Sequence, residues 1–422
     1  MHQRRFMTAI AVAAVAVSAC TSGTGTAPSA PAGSSTTASA PARSAPAASA
    51  PAASEPTASG PTTVGEGEGE LTLVAWAGYV VGGTGGEQVE GYDWVTPFED
   101  ATGCKVTVKV GLDSANMVQL MKTGQYDGVS ASGDATLRLI AGGDVAPVNF
   151  DLIPNYKDVF EGLKNKDYNT VGGVGYGVPH GRGANVLMYD PTVVTTKPDS
   201  WSVVFDAASP YKGKVTAYNY AIYVADAALY LMKTKPELKI TNPYALDETQ
   251  LAAAVELLKQ QKTLVSKYWG TAQEEIDGFS NGDMAIGTAW QYQANTINAA
   301  GAKKVEVTKP KEGATGWSDT WMISSKAKHP NCMYKWMDYI LSPKANADVT
   351  VYFGEAPVSD AACAEAEKQS PGHCDAFHAK DEAYFSDVWY WNTPTKTCLD
   401  GRGDICTDFD AWTKAWTEVT GG

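Results

Sequence analysis

From about residue 66 the chain alternates short apolar runs with amphipathic stretches, a pattern that predicts strands alternating with helices. Leu71-Thr72-Leu73-Val74-Ala75-Trp76 is apolar and of strand length, and residues 105–110 alternate with a period of two, as half-buried strands do. Residues 92–102 read as a helix broken or kinked by Pro97. Residues 114–123 set Met117, Leu120 and Met121 at helical spacing behind Ser114, a residue type that caps helices. Residues 126–129 read as a strand and 135–141 as a short helix. Further strands are expected at 215–217 and 284–289. Helices are expected at 248–265 (Leu251, Val255, Leu258 and Leu264 on one face), 271–282, 332–341, 343–352 and 410–420. This alternation predicts an α/β fold with a largely parallel sheet. The glycine-rich residues 82–86 lack a following Gly-Lys-Ser/Thr and read as a plain loop. Residues 178–189 start glycine-rich and end apolar and extended, which suits a strand crossing between two lobes.

The chain begins differently. A basic start with Arg4 and Arg5, an apolar run over residues 7–19 and small residues before Cys20 make a secretory signal. The apolar run is too short for the roughly 20 residues of a spanning helix. Ending in Cys20, it resembles a bacterial lipobox, which implies a lipid on that thiol. The reading is a lipoprotein signal peptide over 1–20 and a disordered Ala/Ser/Pro/Thr tether over 21–65, a composition that buries too little apolar surface to fold. The chain is thereby expected in the cell envelope, lipid-anchored to the outer face of the cytoplasmic membrane, or periplasmic.

Charge argues against nucleic acid. Residues 1–63 hold three bases and one acid, so the remainder carries about −16 against −14 for the whole chain, with no basic stripe to neutralise phosphates. Setting Cys20 aside leaves Cys104, Cys332, Cys363, Cys374, Cys398 and Cys406, an even number that suits disulfides in an oxidising compartment. Fifteen pairings are possible. Close spacing favours Cys363–Cys374 and Cys398–Cys406, leaving Cys104–Cys332. A zinc site from His373, Cys374 and His378 near Cys363 is the competing reading, and disulfide chemistry outweighs it in this compartment; no metal or cofactor is expected.

No Gly-x-Ser-x-Gly elbow or His-Glu-x-x-His helix is present. What stands out is aromatic residues at strand ends: Trp76 and Tyr79, then Tyr218, Tyr220 and Tyr223, then Trp290 and Tyr292, and Trp317 and Trp321 around Asp319. Ligands of doubly wound sheets sit beyond the carboxyl ends of strands. Rings gathered there around a carboxylate would cage an ammonium group.

From Glu70 to about Ala362 the chain resembles the spermidine/putrescine-binding proteins of ABC importers. The resemblance rests on the Trp76-Ala77-Gly78-Tyr79 loop, on residues 102–106 and 121–127, on Trp201 with Pro210-Tyr211-Lys212-Gly213, on residues 281–290 and on Trp317-Ser318-Asp319. It implies a two-lobed periplasmic-binding-protein type 2 fold with a hinged cleft, no catalysis, and a monomer that hands a small amine to a membrane permease. Lobe 1 is expected over 66–181 and 319–368, and lobe 2 over 182–318 and 369–422. Trp76, Tyr79, Ser132, Trp290, Trp317 and Asp319 would line the cleft, with Asp319 pairing with an amine. Tyr220 and Tyr223 stand where polyamine binders carry acids and join the expected ligand set. A second carboxylate would then have to come from Asp134 or Glu355. Arg182 on the crossing strand either faces the ligand, which would select a zwitterion (a quaternary amine would also suit the rings), or pairs with an acid and braces the hinge. An exported glycan-active hydrolase and a sensor lipoprotein are the remaining alternatives. Beyond Ala362 the resemblance fades; Trp391 or Asn392 could still reach the cleft, and the Arg-Gly-Asp triplet at 402–404 reads as chance.

Overall fold

The computed structural model describes residues 61–421. Cys20 and the tether up to residue 60 lie outside them. Two five-stranded sheets organise the chain. The first runs Lys105–Val110, Glu70–Ala75, Gly128–Ala131, Thr320–Ile323, Val178–Pro179. The second runs Val265–Trp269, Val215–Tyr218, Ile286–Ala289, Val186–Tyr189, Glu306–Thr308. Each is mixed rather than largely parallel. Strands fed by a helical crossover lie parallel, as Glu70–Ala75 does to both its neighbours. Strands arriving from the other sheet enter reversed, as Thr320–Ile323 does against Gly128–Ala131 and Val186–Tyr189 against Ile286–Ala289.

Each sheet carries its own core. Leu71, Leu73, Trp94, Phe98, Trp321 and Trp336 pack the first, and Leu187, Phe205, Ala217, Leu258 and Trp412 the second. The terminal helix Phe409–Thr420 buries Trp412, Trp416 and Val419 in the second core. Between the sheets lies a three-stranded ribbon of Val388–Tyr390, Ala314–Trp317 and Gly183–Ala184. The chain therefore passes between the lobes three times.

Several local expectations are corrected. The helix at Pro97 spans Val95–Thr102. Pro97 thus falls in its first turn, where a missing N–H costs nothing, and there is no break. Asp113, not Ser114, caps the next helix by accepting from the Asn116 N–H at 2.7 Å, which frees the Ser114 hydroxyl. The long helix stops at Lys262, and Val265–Trp269 forms an edge strand that the sequence reading had missed.

Disulfides join Cys104–Cys332, Cys363–Cys374 and Cys398–Cys406. The zinc reading fails because Cys363 and Cys374 are bonded to each other and the His373 ring meets the Glu355 carbonyl at 2.9 Å. Arg402 of the Arg-Gly-Asp triplet is engaged internally by Asp400 and Asp247. Cys104–Cys332 spans 228 residues and Cys398–Cys406 only 8. Replacing the first pair by alanine should destabilise the protein by about 2–5 kcal/mol, and the second pair by less, because loop-closure entropy grows with loop length. Denaturant titration of the two variants checks the order.

Candidate functional site

The site forms where the crossing strands meet the strand ends of the first sheet. Asp319 is the short link between Ala314–Trp317 and Thr320–Ile323. Its carbonyl accepts the His180 N–H at 2.7 Å, and the neighbouring Ser318 hydroxyl donates to the Gly181 carbonyl at 2.8 Å. The two crossings are thus tied together at this residue. Its side chain is 4% exposed. The Ser132 hydroxyl donates to Oδ1 at 2.6 Å and the Tyr79 hydroxyl to Oδ2 at 2.7 Å. Burial pushes the Asp319 carboxyl up to about 6, and the two hydroxyl donors offset only part of the rise.

Tyr79 and Ser132 arrive by the same device. Each follows a strand of the first sheet, Glu70–Ala75 or Gly128–Ala131, and Ser132 stands at the N-cap of the helix Gly133–Ala141. The Tyr79 ring stacks on His180 at 3.8 Å and meets the edge of Phe353 at 4.6 Å. Trp321 donates its indole N–H to His180 Nδ1 at 2.7 Å, so the ring proton resides on Nε2, which lies 3.3 Å from Glu355 Oε1. Burial holds His180 down to about 3, hence neutral. Burial, and then the charge of Asp319, raise Glu355 well above the usual carboxylate range. Glu355 packs behind Gly181, where a Cβ would fall 2.3 Å from Oε2. Neither of its carboxyl oxygens has a hydrogen-bond partner among the described residues.

Asp134, in the first turn of the helix after Ser132, is fully buried. The freed Ser114 hydroxyl donates to its Oδ1 at 3.0 Å, while Oδ2 has no partner among the described residues. Burial raises it to about 7. From the other lobe Tyr220 comes within reach of its charge, and the Tyr220 hydroxyl is also without a partner.

The second lobe contributes rings. Trp290 stands at the N-cap of Gln291–Ala300, edge-on to Trp269 at 5.2 Å and to Trp317 at 6.3 Å. Trp317 meets Phe353 at 5.9 Å, so rings run unbroken from Tyr79 to Trp269. Trp391 lies 5.8 Å from Tyr218. The indole N–H groups of Trp76, Trp290, Trp317 and Trp391 are buried without a protein acceptor.

Two expected ligand residues are placed elsewhere. Tyr223 lies in the second core: its hydroxyl accepts from Gln261 at 2.7 Å and its ring packs on Tyr218 and Trp416. The 3-10 turn Ala221–Tyr223 rotates it inward. Arg182 is 1% exposed, and its guanidinium donates to Glu382 Oε1 at 2.8 Å and to the Ala379 carbonyl at 2.9 Å over the Phe385 ring. It braces the C-terminal segment rather than facing a ligand. Phe353 was not anticipated. It ends a helix, so nothing marked it as a strand-end ring.

Two α/β lobes, three chain passes and a buried carboxylate held by Tyr79 and Ser132 beside a run of rings are the makings of a clamp for a small solute. The model of the bacterial extracellular solute-binding protein family matches residues 93–376, and the chain belongs to that family. It is 25% identical over 286 residues to a putrescine/agmatine-binding protein of Pseudomonas aeruginosa, covering 62% of this chain and 75% of the relative. It is 24% identical over 265 residues to the spermidine/putrescine-binding periplasmic protein of Escherichia coli, covering 61% and 71%. The structure of a spermidine/putrescine ABC transporter substrate-binding protein from Streptococcus pneumoniae superposes with a TM-score of 0.62 at 16% identity, covering 83% of this chain and 97% of that one. The fold is thus the two-lobed periplasmic-binding-protein type. No helix among the described residues is long and apolar enough to cross a membrane.

Because the native state holds a proton on Asp319 more tightly than the unfolded chain does, stability falls as pH rises from about 4 to about 6 and that proton is lost. Asp319→Asn carries no such penalty. Its melting temperature relative to wild type should climb across that window and flatten above it, whatever constant offset the lost hydrogen bond adds. Thermal melts of both proteins at stepped pH check this.

Proposed function

We propose that this protein is the solute receptor of an ABC importer and that it captures a small, polyamine-like amine. The observation that carries the reading is Asp319: a buried carboxylate, held by two hydroxyls at one end of a run of aromatic rings, with no ion-pair cation among the described residues. An ammonium group would replace its proton and form a charge-assisted hydrogen bond. Each ring facing the cation would add about 0.5–2 kcal/mol. Tyr79, Ser132 and Trp76 come from one lobe and Trp290 from the other, so a ligand touching both stabilises the closed form by its differential affinity. A zwitterion read by Arg182 is disfavoured, because Glu382 already takes that guanidinium. In this reading the protein works as a monomer outside the cytoplasm, held by a lipid on Cys20 and delivering its load to a permease.

A thermal-shift screen of the intact protein against polyamines, betaines, choline, amino acids and sugars tests the class. Amines should raise the melting temperature by mass action, and stabilisation by sugars alone would overturn the reading. Asp319→Asn should weaken amine binding by about 2–5 kcal/mol, the cost of removing one partner of a buried charge pair. Since the amine needs the ionised carboxylate, affinity should also fall as pH drops below about 6. Calorimetric titrations at pH 5 and pH 7.5 read that directly.

A further inference from the structure

The amine reading leaves open what holds the far end of the ligand, because Tyr220 stands where an acid was expected. Resting on that reading, we propose that Asp134 is a second cation anchor, so that the site takes a short dication in preference to a monoamine.

Three observations converge on it. Asp134 is fully buried, with one oxygen held by Ser114 at 3.0 Å and the other without a protein partner. It lies where the lobes meet: the Thr393 hydroxyl donates to its carbonyl at 2.9 Å, and Tyr220 approaches from the second lobe. It is also two residues beyond the Ser132 that binds Asp319, and within electrostatic reach of that carboxylate. Arg138 sits one helical turn on, with its guanidinium over the Phe409 ring at 4.5 Å rather than in an ion pair with Asp134, and its field does not offset the burial. Two buried carboxylates that share no ion pair with a cation among the described residues favour a ligand with two ammonium groups. Glu355 is the competing candidate: it is also buried with both carboxyl oxygens unpartnered among the described residues, but it packs behind Gly181, with His180 Nε2 at 3.3 Å.

Calorimetric titration of wild type, Asp134→Asn and Glu355→Gln with 1,4-diaminobutane and with butylamine tests the proposal. Wild type should bind the diamine at least about tenfold tighter, a modest return for one buried charge pair. Asp134→Asn should abolish most of that preference. Glu355→Gln should keep the preference. A diamine preference that survives in Asp134→Asn would overturn the proposal alone, as would a wild type that binds both amines equally. Binding of neither amine by wild type would overturn the amine reading, and this proposal with it. Should Asp134→Asn not fold, wild type decides the matter by itself: in buffers of differing ionisation enthalpy at pH 7, diamine binding should release more protons than butylamine binding, and equal release would overturn the proposal.

Discussion

An ionised carboxylate removed from water needs hydrogen bonds, a nearby cation or a proton. At Asp319 the protein supplies hydroxyl donors from Tyr79 and Ser132 and keeps its cations elsewhere: Arg182 on Glu382, His180 neutral under its own desolvation. Much of the surrounding architecture follows from that choice. The first sheet ends two of its strands where they can present a tyrosine and a serine. The crossing strands lock at Ser318 and Asp319. The stacked Tyr79–His180 pair, with Trp321 fixing the imidazole, holds the tyrosine hydroxyl on its target.

The contacts between lobes are of another kind. They are side-chain packing and single hydrogen bonds: Phe353 against Trp317, Arg138 over Phe409, Thr393 to the carbonyls of Gly133 and Asp134. The closest is steric. A Cβ on Gly133 would fall 1.8 Å from the Trp391 carbonyl oxygen, so the start of that helix and the C-terminal segment touch backbone to backbone. Contacts of this size are individually modest, which leaves room for a ligand to decide whether the lobes stay together.

The alternating pattern made the α/β class legible, and Trp-x-x-Tyr and Trp-x-Asp marked Tyr79, Trp317 and Asp319 because rings beside polar residues at strand ends interrupt the core pattern. The mixed direction of the sheets was not legible, since it depends on which strands return from the other lobe. The orientations of Arg182 and Tyr223 were not legible either. Arg182 finds its partner 200 residues away in Glu382, and Tyr223 is turned inward by a single turn of 3-10 helix. Phe353 and the burial of Glu355 depend on tertiary placement of a helix end, for which a local pattern carries no signal. Ser114 shows the same limit in small: the neighbouring aspartate took the cap, and the serine became part of the site.

The three-stranded ribbon between the lobes has a mechanical meaning. A pair of separate linkers can twist as well as bend. Three chain passes laced by backbone hydrogen bonds, Val388–Tyr390 and Gly183–Ala184 flanking Ala314–Trp317, behave more like the cloth spine of a book: compliant across its width and stiff in torsion. A spine of that kind would confine any movement of the lobes to one arc, and Asp319, just beyond the central strand, sits at its edge, where such an arc would displace it least.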